Sequence, residues 1–532
     1  MNTSSFSPIP VIDLFAGPGG LGEGFTAYRA SARHATFRIA LSIEKEPAAH
    51  STLELRSFFR QFPPKQLPTE YYQHLQGRIS REELYSAFPL QAAAARKQAW
   101  KATLGEVGAD EVDKKIRLAL GDTKEWVLCG GPPCQAYSVM GRSRSGGIDE
   151  NDPRVYLYKE YLRILAEHKP PVFVMENVKG LLSSHVGGSA IFKQLLADLR
   201  CPAILSGKVK DGPRYLLFSL VKEPESSEAD EYPKFKPTDF IIKCEDYGIP
   251  QSRHRLIVLG VREDLAGDTI PTLRRSVKHV GARRVLQGLP RLRSGLTHVP
   301  DGKAEWREAL QGILCTGVLD GIPNGHGSAV KQDIEWTLKH VRLPRADRGG
   351  EFIACEAKID YEPKWFLDGG IGGACNHVSR PHMPQDLHRY LFVACYARVF
   401  QRSPELRDFP PGLLPKHKNV GNEKKKEYFD DRFRVQLANN PSTTVTSHMA
   451  KDGHYFIHYD ERQCRSLTVR EAARLQTFPD NYFFSGTRTQ QYVQVGNAVP
   501  PLLARQSSRC LFLVRRHALA ARGVRGVVPY RG

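Results

Sequence analysis

No stretch of this 532-residue chain approaches the ~18 consecutive apolar residues that a membrane-spanning helix requires. The opening residues, MNTSSFSPIPVIDLF, lack the basic-then-apolar order of a secretory signal. The ten cysteines are scattered and no two stand at CxxC spacing, which argues against a disulfide framework and against the common zinc sites. Cys375, His377 and His382, in CNHVSRPH, match no usual zinc pattern and lack a companion cluster. They are read as structural, and no metal is expected. Repeats and extended low-complexity segments are also missing. These absences leave a cytoplasmic protein with no membrane contact as the expectation.

What the chain does have is length and positive charge. Its 532 residues exceed the needs of one small core and point to two or three domains. The 76 Lys+Arg against 57 Asp+Glu leave +19, which fits a polyanionic partner, although many basic soluble proteins share that balance.

Short apolar runs that stop at polar or glycine-rich punctuation organise the sequence. Pro10 to Phe15 ends in Ala16-Gly17-Pro18-Gly19-Gly20-Leu21-Gly22 and then turns amphipathic, which reads as strand, glycine turn, helix. Such a turn lets backbone approach a ligand, and the helix start offers unpaired N–H groups. A second run, Phe37 to Ile43, ends at Glu44, about twenty residues after the glycines, where an acid can hold a ribose diol. Residues 61 to 120 are polar and helix-prone and read as an insertion. Strand character returns at Trp126 to Cys129, at Pro171 to Met175 ahead of Glu176-Asn177-Val178, and at Arg255 to Gly260 after Gln251-Ser252-Arg253-His254. Strands ending in polar residues and separated by helices predict an open parallel sheet with its site at the strands' C-terminal ends. Within VLCGGPPCQ, Cys129 belongs to an apolar strand and reads as core, whereas Cys134 follows two prolines that fix the backbone and remove donors.

The blocks DLFAGPGG (13–20), GGPPCQ (130–135), ENV (176–178), QSRHR (251–255) and QVGNAVPP (494–501) resemble, in type and order, the signature blocks of the DNA cytosine-5 methyltransferases of bacterial restriction-modification and defence systems. STTVTSHMAKDGHYFIH with the following LTVREAARLQTFPD resembles the block ahead of the last motif. The resemblance implies an α/β fold: a doubly wound, Rossmann-like S-adenosylmethionine-dependent methyltransferase domain with a second, smaller target-recognition domain. The expected boundaries are 1–268 for the catalytic domain, including the 61–120 insertion, 269–487 for target recognition and hinge, and 488–532 for the return to the catalytic domain.

The chemistry agrees with the resemblance. Carbon 5 of cytosine is a poor nucleophile until a group adds to carbon 6, and a thiolate such as Cys134 suits that addition. A carboxylic acid at Glu176 can bond ring nitrogen 3 as electrons move there. Arg253 and Arg255 alternate with His254, so an extended backbone puts both guanidinium groups on one side; in the family they line the cytosine pocket. The resemblance further implies that Phe15 packs on the adenine of S-adenosyl-L-methionine, that Gly17 and Gly19 border its methionine part, and that Glu44 takes the ribose hydroxyls. Ala16, Gly20, Leu21, Pro132, Asn497, Ala498 and Val499 complete the cofactor site, and Asp122 is the candidate acid for the adenine amino group.

The 185 or so residues between QSRHR and Ser442 are where this family keeps its variable recognition region. From Arg262 to Arg293 seven arginines and one lysine face three acids, a candidate phosphate-binding face that equally describes a solvated one. Asn422 to Tyr428, NEKKKEY, reads as a linker. The expected partner is double-stranded DNA, with a cognate restriction endonuclease or defence-system proteins beside it. Two other readings stand open: a transfer RNA cytosine-5 methyltransferase, and a catalytically silent DNA-binding regulator.

Overall fold

The computed structural model describes residues 7–31, 35–63, 66–133, 157–183, 185–186, 189–203, 212–225, 232–266, 270–323, 325–415 and 432–521. Cys134 and the 422–428 run lie outside them.

An eight-stranded sheet carries the fold. Strand β1 (Ile9–Leu14), IPVIDL, is buried at every position and takes the centre, as expected of an apolar strand covered on both faces. Around it lie β2 (Phe37–Glu44), β3 (Ala99–Lys101), β4 (Val127–Gly130), β5 (Val172–Val178), β6 (Tyr215–Phe218), β7 (Ile241–Lys243) and β9 (His254–Arg262), in the order β3-β2-β1-β4-β5-β9-β6 with β7 beside β9. The two-residue β8 (Gln251–Ser252) stands outside this sheet. Strands β1 to β5 are parallel, and the order reverses between β1 and β4. Open α/β sheets bind ligands at such a switch point, beyond the strands' C-terminal ends.

Alternate side chains feed two cores. Val11, Ile39 and Val174 face α1 (Gly20–Ala27) and the C-terminal helix Pro501–Ala521. Ile12, Leu41 and Phe173 face α6 (Ala109–Leu120), α7 (Leu157–His168) and α8 (Ile191–Arg200). A Cβ on Gly24 of α1 would lie 2.4 Å from the Cβ of Ala504, so glycine lets the two helices touch backbone to backbone.

Two expectations change. The Arg255 to Gly260 run does not continue the parallel set: β9 is antiparallel to β5, with Ile257 opposite Glu176. The reversal has a geometric logic, because QSRHR precedes its strand whereas the other polar blocks follow theirs. Only an antiparallel strand brings its first residues to the edge where β5 ends. The 61–120 segment is also less separate than expected. Helices α3 (Thr69–Leu75), α4 (Arg81–Ala87) and α5 (Pro89–Gln98) add a small aromatic-rich core on α2 (Pro47–Phe59). After them β3 pairs with β2 and α6 buries Val112 and Ile116 in the main core. The last third of the segment is sheet scaffold.

Beyond the sheet, α9 (Ala282–Leu286) precedes three helices that share one core through Trp306, Ile334 and Leu391: α10 (Lys303–Cys315), α11 (Gly327–His340) and α12 (Pro384–Phe400). Strands β10 (Gly349–Ala354) and β11 (Gly373–Val378) pair antiparallel. The short β12 (Ser442–Thr443) pairs with β8, and the chain returns through α13 (Val469–Leu475) and α14 (Arg488–Asn497) to α15, the Pro501–Ala521 helix. All seven residues of α13 are buried.

Candidate active site

The glycine turn at the end of β1 is held by β2. Phe15 itself is in the left-handed region (φ 53°), as are Gly17 (φ 57°) and Gly19 (φ 93°). For a non-glycine residue that conformation costs on the order of 1 kcal/mol and is kept only where neighbours enforce it. They do here: the Ala16 N–H donates to Ile43 O (3.0 Å) and the Gly17 N–H to Glu44 Oε2 (2.7 Å). Glu44 Oε1 accepts from the Glu46 N–H (2.8 Å). Burial raises the Glu44 carboxyl above its ordinary range, and these backbone donors oppose the rise. Each oxygen keeps a lone pair for an incoming hydroxyl.

Gly20 shows why the far end of the chain belongs here. A Cβ on it would lie 2.2 Å from Val499 O, so only glycine admits the α14–α15 junction. Ala498, Val499 and Leu21 are buried beside the turn, while Asn497 is exposed at the end of α14. A Cβ on Gly17 would meet nothing within 4 Å. Open space over a glycine, a carboxylate behind it and a half-buried aromatic at Phe15 form a cradle that fits the nucleoside and methionine parts of S-adenosylmethionine.

At the same sheet edge, β5 presents Glu176. Arg255 at the start of β9 donates through Nε to Glu176 Oε1 (2.9 Å), both side chains being largely buried. Glu176 Oε2 faces Gly131, where a Cβ would come within 2.7 Å. The next residue, Asn177, donates to Pro132 O (3.3 Å), which fixes the end of β4 against β5. Burial raises the Glu176 carboxyl, with Arg255 and then Arg253 pulling the other way.

Arg253 has a different environment from Arg255. It is fully buried, and its terminal nitrogens donate to Val445 O (2.7 Å), Gly496 O (3.0 Å) and Ala498 O (2.8 Å). Three of its donors thus clamp β8, the segment after β12 and the end of α14 together, and are not presented to a base. The expectation that both arginines line a pocket holds no further than their shared side: Arg253 bears on Glu176 electrostatically, whereas Arg255 touches it.

Asp122 does not join the site. It is exposed in the turn that closes α6, ahead of the N-terminal end of β4, whereas the glycine turn lies beyond the C-terminal ends. Cys375, His377 and His382 are buried and contact other protein groups: Cys375 Sγ donates to Leu75 O (3.7 Å), His377 contacts Thr468 Oγ1 (2.8 Å) and Pro290 O (2.9 Å), and His382 contacts Ser466 Oγ (3.2 Å). Cys129 is buried as expected, yet its Sγ also donates to Asp13 Oδ1 (3.5 Å). Burial pushes the Asp13 carboxyl up to about 7.

Two glutamines escaped the sequence reading. Gln251 donates to Gln476 Oε1 (2.6 Å) and accepts from the Val445 N–H (2.7 Å), and Gln476 donates to Val495 O (2.9 Å) and Ala498 O (2.7 Å). With Arg253 they tie QSRHR, the LTVREAARLQ helix and QVGNAVPP into one buried polar seam. The available signal was a glutamine closing an otherwise packed helix.

Comparison with known proteins agrees with this geometry. The family described as C-5 cytosine-specific DNA methylase matches residues 94–201 and 394–511. The type II methyltransferase M.Bpa9945I of Bacillus paralicheniformis is 30% identical over 511 residues, covering 93% of this chain and 96% of that protein. The DNA (cytosine-5-)-methyltransferase M.ApeKI of Aeropyrum pernix is 27% identical, covering 76% and 85%. The type II methyltransferase M.AgeI of Thalassovita gelatinovora is 26% identical, covering 93% and 97%. With likeness running over nearly the whole of both chains, this protein belongs to the C-5 cytosine-specific DNA methylases and is an enzyme that methylates cytosine in DNA.

Proposed function

We propose that the protein transfers the methyl group of S-adenosyl-L-methionine to carbon 5 of a cytosine flipped out of a specific duplex sequence, as the modification enzyme of a restriction-modification or defence system. The observation that carries this reading is the Glu176–Arg255 pair at the sheet edge shared with the Gly17–Glu44 turn. Bound S-adenosylmethionine supplies an electrophilic methyl group. Phe15, Gly17, Gly19 and Glu44 hold it, with Val499 and its neighbours closing the turn. The Cys134 thiolate adds to carbon 6 of the ring, Glu176 bonds nitrogen 3 as electron density moves there, and Arg255 keeps the Glu176 carboxyl aimed. After carbon 5 has been alkylated its proton leaves, and the electron pair expels the thiolate to restore aromaticity. A stacked base hides its faces, so extrusion at a cost of a few kcal/mol must be offset by pocket and backbone contacts.

Incubation with labelled cofactor and either duplex DNA or transfer RNA, followed by mapping of methylcytosine, tests the reading. Label in RNA alone, or in neither, refutes it. Two carboxylates separate binding from chemistry. Glu44→Ala is expected to weaken S-adenosylmethionine binding by ~1.5–3 kcal/mol, the range for bonds to a charged group. Glu176→Gln is expected to slow transfer with little change in cofactor affinity. Calorimetry with the effects exchanged would reverse the two roles.

Target reading is assigned to the region between about Asp268 and Arg434. Arg283 and Arg284 are exposed on the short helix α9 and are assigned to phosphates, since an adjacent pair rarely faces one base. Arg283→Ala/Arg284→Ala is expected to weaken cognate and scrambled duplexes alike and to lower the salt slope by ~1–2. Loss confined to the cognate duplex would assign them to base reading.

A further inference from the structure

A cleft of about 960 Å³ lies between the C-terminal end of α11 and strand β10. Arg291, Lys339, Arg342, Arg345 and Arg462 line it, and among the described residues no carboxylate does. Asp460, almost completely buried, holds Arg291 (3.1 Å) and Arg462 (3.0 Å). Lys339, Arg342 and Arg345 are exposed and make no ion pair among the described residues. Cations of one sign gathered in a concavity with apolar wall residues, here Leu343 and Ile353, focus a positive potential and repel one another unless an anion enters.

The Trp336 ring at the rim is 46% exposed, stacked by His340 (centroids 4.3 Å apart) and approached by the Arg398 guanidinium at 4.7 Å. Five cationic side chains line the cleft against one indole and one imidazole, so charge dominates what it offers a ligand. It also connects with α9: the Arg283 guanidinium lies 5.6 Å from the ring centroid of Tyr459, the residue before Asp460. The basic surface therefore runs from Arg283 past Arg291 to Lys339, Arg342 and Arg345.

We propose that this cleft grips the sugar–phosphate backbone of the duplex without reading its sequence. The proposal rests on the assignment of DNA as the substrate. The test uses the full-length protein without cofactor and measures binding to duplexes with and without the mapped methylation site over a salt series. Lys339→Gln/Arg342→Gln/Arg345→Gln is expected to lose ~10–100-fold in affinity at low salt for both duplexes, and to lower the slope of log K against log salt by ~2–3, about 0.9 per phosphate contact. Lys339→Arg/Arg342→Lys/Arg345→Lys is expected to bind within ~3-fold of wild type, because a phosphate asks for charge rather than a fixed fork of donors. An unchanged slope in the glutamine variant, a loss confined to the cognate duplex, or an equal loss in the charge-retaining variant would each overturn the proposal. Failure of the substrate assignment would show separately, as wild-type protein that methylates no DNA.

Discussion

Cys134→Ala is expected to abolish methyl transfer, by a factor on the order of 10⁴ or more, the scale on which loss of a covalent nucleophile is felt. Without addition at carbon 6 the ring offers no enamine-like carbon, and the contacts that remain can hold both substrates without joining them. Binding of S-adenosylmethionine should change little, because the cradle proposed for it is built from Phe15, Gly17 and Glu44. DNA carrying 5-fluorocytosine should trap a covalent adduct with the wild type, since fluorine occupies the place of the proton that must leave. An adduct that persists in Cys134→Ala would end the assignment. Cys129→Ser is the informative control, because it keeps the side-chain donor to the buried Asp13 carboxyl that alanine would remove.

The largest stability effect should come from Glu471→Ala. Arg465 has no exposed side-chain surface and Glu471 has 2%, and the two meet through a pair of 2.7 Å bonds. Glu471 also accepts the Thr468 N–H (2.8 Å), while Thr468 caps α13 in return. Removing the carboxylate strands a guanidinium in a dry site and is expected to cost ~3–5 kcal/mol, with ~1 kcal/mol more for the cap. The Arg465→Met/Glu471→Leu pair should cost less than Glu471→Ala alone, since it leaves no unpaired charge. The pH dependence has a definite sign. Arg465 holds the Glu471 carboxyl well below its ordinary range against the cost of burial, so its stabilisation is present above the unfolded value of ~4.3 and is lost as pH falls further. Denaturant midpoints at neutral and acidic pH measure both effects. Midpoints equal to wild type would remove this pair from the supports of the fold.

The sheet strands were legible because apolar runs ended in glycine or polar residues, and both Glu44 and Glu176 stand where those endings put them. Strand direction was not. Pairing direction depends on which edge a polar block must reach, and only the position of QSRHR ahead of its strand hinted at β9's reversal. Arg253 shows a second limit: its carbonyl partners lie 192 to 245 residues away, beyond any local pattern. The LTVREAARLQ stretch has the charged composition of a surface helix, and arginine is among the residues least often buried. Yet Arg470 reaches Cys375 O, 95 residues back, and Arg474 reaches Val285 O, 189 residues back. Asp122 failed for the converse reason, since local sequence placed an acid near a strand without saying which end of the sheet it would occupy.

The seam between the first glycine turn and the last helices has a consequence for how the molecule is made. The Tyr482 hydroxyl bonds Pro18 O across 464 residues, and Thr52 bonds Gln494 Oε1 (2.7 Å) across 442. Closing so long a loop is thermodynamically mild, because each doubling of length adds only ~0.6 kcal/mol. The burden falls on rate and order of events: native contacts between such remote partners form late, and a chain emerging from the ribosome at ~5–20 residues per second cannot complete the turn until α14 and α15 are out. A partly synthesised chain could shape much of the sheet and still lack the α14–α15 junction that seats against Gly20. Methylating capacity should therefore switch on in one step, once helices α14 and α15 have emerged, rather than grow with chain length.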